Sequence, residues 1–253
     1  MNYHQIDTDY YCGIDLHSKT MYVCVMDKQG KIYFHRNMRN DFEIFKRSIQ
    51  KFAHSLSVGC ETSGYYYWLA DGCRNHDIPF CLGHALYMKA ISGGKKKNDH
   101  IDSKTITNLM RTNFLPYAFT YPPDWRSTRD LLRRRHRLVN LRAEAYSHVQ
   151  ATFKQHGIME GLSKFVKKKK ERRELIDRFD NSDLQMNIAA DLDVMDSLDP
   201  IIHTVELKII RGAKYHDRKN FNLLLAVPGI GEIIALTLLY EIYDIKRFPS
   251  VQL

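Results

Sequence analysis

The sequence predicts an α/β N-terminal domain that gives way to a helical second half, and three observations carry that reading. Three β-branched and aromatic runs stand close together near the N-terminus, at 10–16 (YYCGIDL), 21–26 (MYVCVM) and 32–35, spaced by short polar turns. Strand-like and helix-like runs then alternate up to about residue 82. Beyond residue 124 the pattern changes to two long stretches whose apolar residues recur at helical spacing.

Taken in order, HSKT separates the first two strands, and DKQGK, with Gly30, suits a hairpin into the third. Phe42, Phe45, Ile49 and Phe52 follow at helical spacing, with Asn40 or Asp41 placed to cap the helix. A strand at 56–60, a helix at about 64–75 and a strand at 78–82 complete the series. Three antiparallel strands followed by strand–helix alternation is the order of a ribonuclease H-like fold, a mixed sheet flanked by helices, here over residues 1–120. Residues 124–155 read as one helix, with Leu131, Leu138, Leu141, Ala145, Val149 and Phe153 on a stripe. A second helical pattern runs through Ile188, Leu192, Met195, Leu198, Ile202, Val205 and Ile209, with Pro200 expected to kink or interrupt it. Joined by a lysine-rich connector at 157–183, the two predict an antiparallel hairpin or coiled-coil stalk over 121–215. Residues 216–253 then begin a third region.

Composition narrows the function classes. Hydrophobic residues at 44% and charged residues at 26% describe a globular chain and exclude a collagenous or wholly disordered one. No run approaches the ~18 apolar residues of a membrane span. The segment MNYHQIDTDYY lacks the basic flank and apolar stretch of a secretory signal. Five cysteines, an odd number with no CxxC pair, argue against a disulfide framework or zinc site and for the reducing cytoplasm. Cys12, Cys24, Cys60 and Cys81 sit in apolar runs and are expected to be buried thiols.

The net charge is 38 − 29 = +9, and the excess is concentrated beyond residue 94. It falls in Lys95, Lys96 and Lys97, then in Arg126, Arg129, Arg133, Arg134, Arg135, Arg137 and Arg142 on one helix. A third cluster holds Lys164, Lys167, Lys168, Lys169, Lys170, Arg172 and Arg173. A single basic run is ordinarily a solvated face, but three of them favour a nucleic-acid surface.

Four carboxylates carry the candidate chemistry. Asp15 ends the first strand and Glu61 the fourth, while Asp99 and Asp102 lie three apart on the first turn of an expected helix. If the first and fourth strands are neighbours, Asp15 and Glu61 stand side by side where the sheet opens to solvent. Four such groups repel one another unless cations lie between them, and oxygen donors in that number suit Mg²⁺ or Mn²⁺. The plain structural alternative makes Asp15 a turn residue and Glu61 or Asp99 a helix cap. A second motif, Val227-Pro228-Gly229-Ile230-Gly231, lies between two apolar helical runs and reads as a helix-hairpin-helix turn. Backbone N–H groups at Gly229 and Gly231 could approach a phosphate there, gripping backbone without reading bases. The alternative is an ordinary tight turn between core helices.

GIDLHSKT, CETSGYYYWLA and KKNDHIDSK together resemble the motifs of the Asp-Glu-Asp-Asp (DEDD) transposases, the Piv/MooV-like insertion-sequence recombinases. The likeness extends through the arginine-rich helix into LLLAVPGIGEIIALTLLYEIYDIKRFPS. It implies a RuvC-like catalytic domain with Asp15, Glu61, Asp99 and Asp102 holding Mg²⁺. It further implies DNA cutting and rejoining for element excision and integration, guided by a structured non-coding bridge RNA, in a homo-oligomer (dimer or tetramer). The usual Lys-Thr-Asp-x-x-Asp-Ala appears here as Lys97-Asn98-Asp99-His100-Ile101-Asp102-Ser103, which keeps both aspartates. The nucleophilic serine of the family is expected after the segment matching RFPSVQL, with Ser250 only a cap or turn residue, so this chain is expected to stop partway into the transposase domain. Two other readings share these residues: a RuvC-like nuclease or junction resolvase using water, and a non-catalytic RNA- or DNA-binding remnant. A sugar-kinase or actin-type ATPase also opens on Gly-Ile-Asp, but no glycine-rich phosphate loop follows Glu61 or Asp102. The tyrosines at 65–67 lack the downstream partners of a tyrosine recombinase.

Overall fold

Strand β1 (Tyr10–Leu16) is almost wholly buried, which requires cover on both faces and a central place in its sheet. It pairs antiparallel with β2 (Thr20–Asp27), which pairs antiparallel with β3 (Ile32–Arg39). On its other side β1 runs parallel to β4 (Leu56–Glu61), then come parallel β5 (Phe80–Gly83) and antiparallel β6 (Tyr117–Ala118). The order is β3-β2-β1-β4-β5-β6. This is the mixed α/β architecture the sequence predicts, and it is consistent with a RuvC/ribonuclease H-like domain. The computed structural model describes residues 2–92, 99–158 and 172–248. It divides into two compact units, residues 1–121 and 122–252. Lys95, Lys96, Lys97, the lysines at 164 and 167–170, and Ser250 lie outside the described residues.

In the first unit one face of the sheet is covered by α1 (Phe42–Ile49) and α2 (Tyr67–Asn75). Phe45, Ile49, Leu69 and Cys73 pack there against Ile14, Val23, Val25 and Val58. Asp41 caps α1 by accepting the Ile44 N–H at 3.0 Å, and a 3₁₀ turn (Gln50–Ser55) carries the expected Phe52. Helix α2 starts three residues later than expected. The sequence reading missed α3 (Ala85–Ser92) and β6 altogether. Four cysteines are buried and Cys81 is half-buried, all as free thiols. Burial pushes the Cys73 thiol up to about 12 and Cys81 to about 11, so both stay protonated at neutral pH.

The opposite face belongs to α4 (Asp99–Arg111). Its sheet-facing stripe includes Ser103, Ile106, Thr107 and Met110, all buried. Two register-matched glycines, Gly13 on β1 and Gly59 on β4, make the approach possible. A Cβ on Gly13 would stand 2.4 Å from the Thr107 backbone nitrogen, and one on Gly59 2.6 Å from Met110 Sδ. Thr107 Oγ1 accepts the Gly13 N–H at 3.1 Å and lies 2.8 Å from the Ser103 carbonyl, tying helix to strand.

The second unit is helical. Helix α5 (Pro123–Gln155) and α6 (Ser182–His216) lie side by side. Arg135 pairs with Glu206, Arg142 with Asp199 and His148 with Asp191. The partner number falls as the α5 number rises, so the two helices are antiparallel. Ala145, Val149 and Phe153 pack on Ile188, Leu192 and Met195, with Leu175 and Phe179 of the connecting segment closing the cluster. Pro200, expected to kink or interrupt the second helix, does not interrupt it and lies inside it. The packing of Met195 and Ile202 and the Asp199 ion pairs on either side hold the helix through the lost hydrogen bond. Helices α7 (Arg218–Leu225) and α8 (Glu232–Ile242) pack through Phe221, Leu236 and Tyr240 against Leu132 of α5 and Ile209 of α6. The region beginning at residue 216 thus shares its core with the helical pair.

Glu241 of α8 receives Arg129 at 2.8 Å and Arg133 at 2.7 Å. Burial pushes its carboxyl up, but the Arg133 hydrogen bond and the charges of Arg129 and Arg133 outweigh that and hold it below the usual range. Asp199 is held low against burial by Arg142 and Arg172 in the same way. A lowered folded-state pKa stabilises above the ordinary carboxylate value, and that stabilisation is lost as pH falls through the lowered one. The helical unit should therefore keep full stability at neutral pH and lose it in acid. Glu241→Gln should cost about 1–3 kcal/mol at pH 7, because it removes the negative charge that Arg129 and Arg133 both meet. Denaturant melts at a series of pH values should also show a flatter acid limb in the variant, and an unchanged one would refute the assignment.

Candidate active site

Asp15 and Glu61 meet through the parallel pairing of β1 with β4. Ile14 is in register with Cys60, so the next residues, Asp15 and Glu61, leave the two strands at adjacent positions. Both belong to the face that carries Gly13 and Gly59, the face under α4, because alternate strand residues share a face. Two carboxylates so placed disfavour each other's charge, which suits a shared cation. Asp15 is mostly buried, at 18% side-chain exposure, and its Oδ2 lies 3.2 Å from His17 Nε2. The sequence reading missed His17. The signal available was its place two residues after Asp15 in the same turn.

Asp99 and Asp102 fall on the first turn of α4, as the spacing predicts. Asp102 is half-buried next to Ser103, whose hydroxyl is 3.1 Å from His35 Nε2 of β3. The side chain of Asp99 lies outside the described residues. Among the described residues, no three His, Cys, Asp or Glu side chains come close enough to hold a metal ion. The fold therefore makes Asp15 and Glu61 neighbours and lays the helix bearing Asp102 across their face, without drawing Asp102 into one cluster with both.

The basic residues separate into two kinds. Arg126 and Arg129 are buried, and Arg129 and Arg133 are committed to Glu241. Arg135, Arg142, Arg172 and Arg173 likewise pair with Glu206, Asp199, Asp196 and Asp193. Arg134 and Arg137 face solvent. The missed feature is the set of acidic partners on α6 and α8, up to 112 residues away in sequence.

Pro228, Gly229 and Gly231 form an exposed turn between α7 and α8. Gly229 has φ +87°, which a side chain rarely tolerates, and no atom comes within 4 Å of a Cβ built on Gly229 or Gly231. Gly231 caps α8 without a side-chain acceptor. Glu232 in that first turn adds a negative charge that opposes an anion.

Among the described residues no helix is long and apolar enough to cross a membrane. No curated protein matches the chain. Two family models do. Residues 12–158 match a transposase model, the DEDD transposases of IS110 type, and so span the strand ends, α4 and the whole of α5. Residues 221–252 match the transposase IS116/IS110/IS902 family, across α7, the glycine turn and α8. Both describe insertion-sequence transposases, enzymes that act on DNA. With the first match covering more than half of its length and the second following in the expected order, the chain belongs to the IS110 family of DEDD transposases.

Proposed function

We propose that this chain cuts and rejoins DNA at insertion-sequence ends in the cytoplasm, on nucleoid DNA, using Asp15, Glu61, Asp99 and Asp102 as a divalent-metal site. The observation that supports this most is the placement of Asp15 and Glu61 at adjacent exits of β1 and β4, beneath the helix whose first turn carries the two aspartates. Carboxylate oxygens on neighbouring strands are the donor chemistry that Mg²⁺ or Mn²⁺ prefers. When bound, such a cation stabilises the charge that develops on the attacking and leaving oxygens. The protein's part is to hold Asp15 and Glu61 at fixed places on neighbouring strands, with α4 carrying the aspartate turn over the same sheet face. His17 orients Asp15 through the 3.2 Å contact with Oδ2. In members of the family the attacking group is a serine carried after the segment matching Arg247–Leu253, and the cutting proposed here is by the chain together with such a segment.

Sequence choice is assigned to a structured bridge RNA, with protein contacts confined to backbone. The solvent-facing Arg134 and Arg137, the lysines at 95–97 and the turn at Pro228, Gly229 and Gly231 are its proposed contacts. In this reading the turn is a helix-hairpin-helix element, α5 and α6 form a stalk, and the assembly is a homo-oligomer, dimer or tetramer.

The test is a denaturing gel of element-end DNA incubated with the protein, Mg²⁺ and RNA transcribed from the element flank. It is run with and without the family's serine-bearing segment appended after Leu253. A protein–DNA adduct that forms with the appended segment and requires Mg²⁺ and the RNA is the expected result. Nicked DNA without adduct would assign water as nucleophile and make the protein a RuvC-like nuclease. RNA binding without any cutting in either form would leave a binding protein only.

A further inference from the structure

We propose that Tyr87, stacked on His84 at the exit of β5, is a platform for an unpaired nucleobase beside the carboxylate site, with Tyr65 exposed in the segment that follows Glu61. The proposal rests on the reading of Asp15 and Glu61 as the DNA-processing centre. Glu61 is in register with Gly83, the last residue of β5. Just past that pair the Thr62 N–H donates to the Gly83 carbonyl at 2.9 Å, closing the two strand ends together. The next residue on β5's side is His84, so its ring stands one position beyond Glu61's cross-strand partner.

The platform is held rigidly from behind. The His84 N–H donates to the Pro116 carbonyl at 2.9 Å, and the His84 carbonyl accepts the Met88 N–H at 2.9 Å as α3 begins. Met88 is buried over Gly83, where a Cβ would meet its sulfur at 2.6 Å. Tyr87 then lies on His84 with ring centroids 4.5 Å apart and planes 28° from parallel. One face of Tyr87 lies on His84, and 44% of the residue remains accessible to a ligand. Tyr65, four residues after Glu61, is 51% accessible in the neighbouring strand exit.

An accessible aromatic ring fixed next to paired carboxylates suits a flat ring better than an aliphatic side chain. A base flanking the scissile phosphate has to leave its duplex for a strand to be exchanged, and stacking on Tyr87 would hold it out. Stacking is tolerant of base identity, so the platform positions the strand while pairing supplies sequence.

The measurement is fluorescence of 2-aminopurine placed at successive positions in single-stranded oligonucleotides, titrated with the full chain in Ca²⁺. DNA and RNA of the same sequence form two arms. Quenching confined to one position is expected, and the arm that shows it identifies the strand. Tyr87→Leu should abolish that quenching and weaken binding about ten-fold, the scale of one stacked base. Tyr87→Phe, which keeps the ring, should retain both, and Tyr65→Leu should give a smaller loss. Unchanged quenching and affinity in Tyr87→Leu would overturn the platform while leaving the carboxylate site standing. Absence of binding by the unaltered chain in both arms would overturn the two together.

Discussion

Replacing Asp15 with Asn is expected to lower DNA cleavage, measured with the serine-bearing segment appended, about a thousand-fold, the scale of removing a group that acts chiefly on the transition state. The substitution keeps size and shape and removes only the charge. Asp15 is the penultimate residue of β1, where the burial of Cys12, Ile14 and Leu16 already fixes the strand, so the variant should fold normally. Glu61→Gln should do the same from β4. Because both carboxylates are assigned to one site, the double variant should be no slower than the worse single one, a non-additivity that separates a shared site from two independent contributions. Cleavage kinetics on element-end DNA measure this. Near-normal cleavage in either single variant would remove that residue from the site.

Gly13→Ala should destabilise the first unit by about 3 kcal/mol, the upper end of the usual cost of overpacking. The added methyl would meet helix backbone, 2.4 Å from the Thr107 nitrogen and 2.7 Å from the Ser103 carbonyl oxygen, and backbone cannot rotate away. Moving α4 back also lengthens the Gly13 N–H to Thr107 bond. At Gly59 the first atom met is Met110 Sδ, near the end of a flexible side chain, so Gly59→Ala should cost only about 1 kcal/mol. Gly64, with nothing within 4 Å, is the control that should cost least. Denaturant midpoints would check the ranking. Since α4 carries Asp102, Gly13→Ala should also lower cleavage beyond the loss of folded protein. Equal stability of Gly13→Ala and Gly64→Ala would contradict the close helix–sheet approach.

The sheet was legible because its strands announce themselves locally. Polar turns separate apolar runs in β1 and β2, Asp41 caps α1, and the strand order makes β1 and β4 neighbours, which is what pairs Asp15 with Glu61. Strand β6 was not legible, since its two residues, Tyr117 and Ala118, are strand only through pairing with β5. Helix α3 was missed because Leu86, Tyr87 and Ile91 are exposed and leave no amphipathic stripe to read. The arginine-rich helix shows the opposite failure. Its charge was plain, but its direction was set by Glu241, Glu206 and Asp199 on other helices, and pairing over such sequence distances leaves no local trace. Pro200 does not interrupt its helix for a related reason, because tertiary packing outweighs a propensity worth about 3 kcal/mol.

The claim on which the rest depends is that Asp15, Glu61, Asp99 and Asp102 act as one divalent-metal site. Titration of the protein with Mn²⁺, followed by electron paramagnetic resonance of the free ion, tests it most directly and needs no DNA. One or two ions should bind per chain, and Asp15→Asn combined with Glu61→Gln should abolish that binding while the fold persists. Binding unchanged in the double variant, or absent from the unaltered protein, would contradict the account.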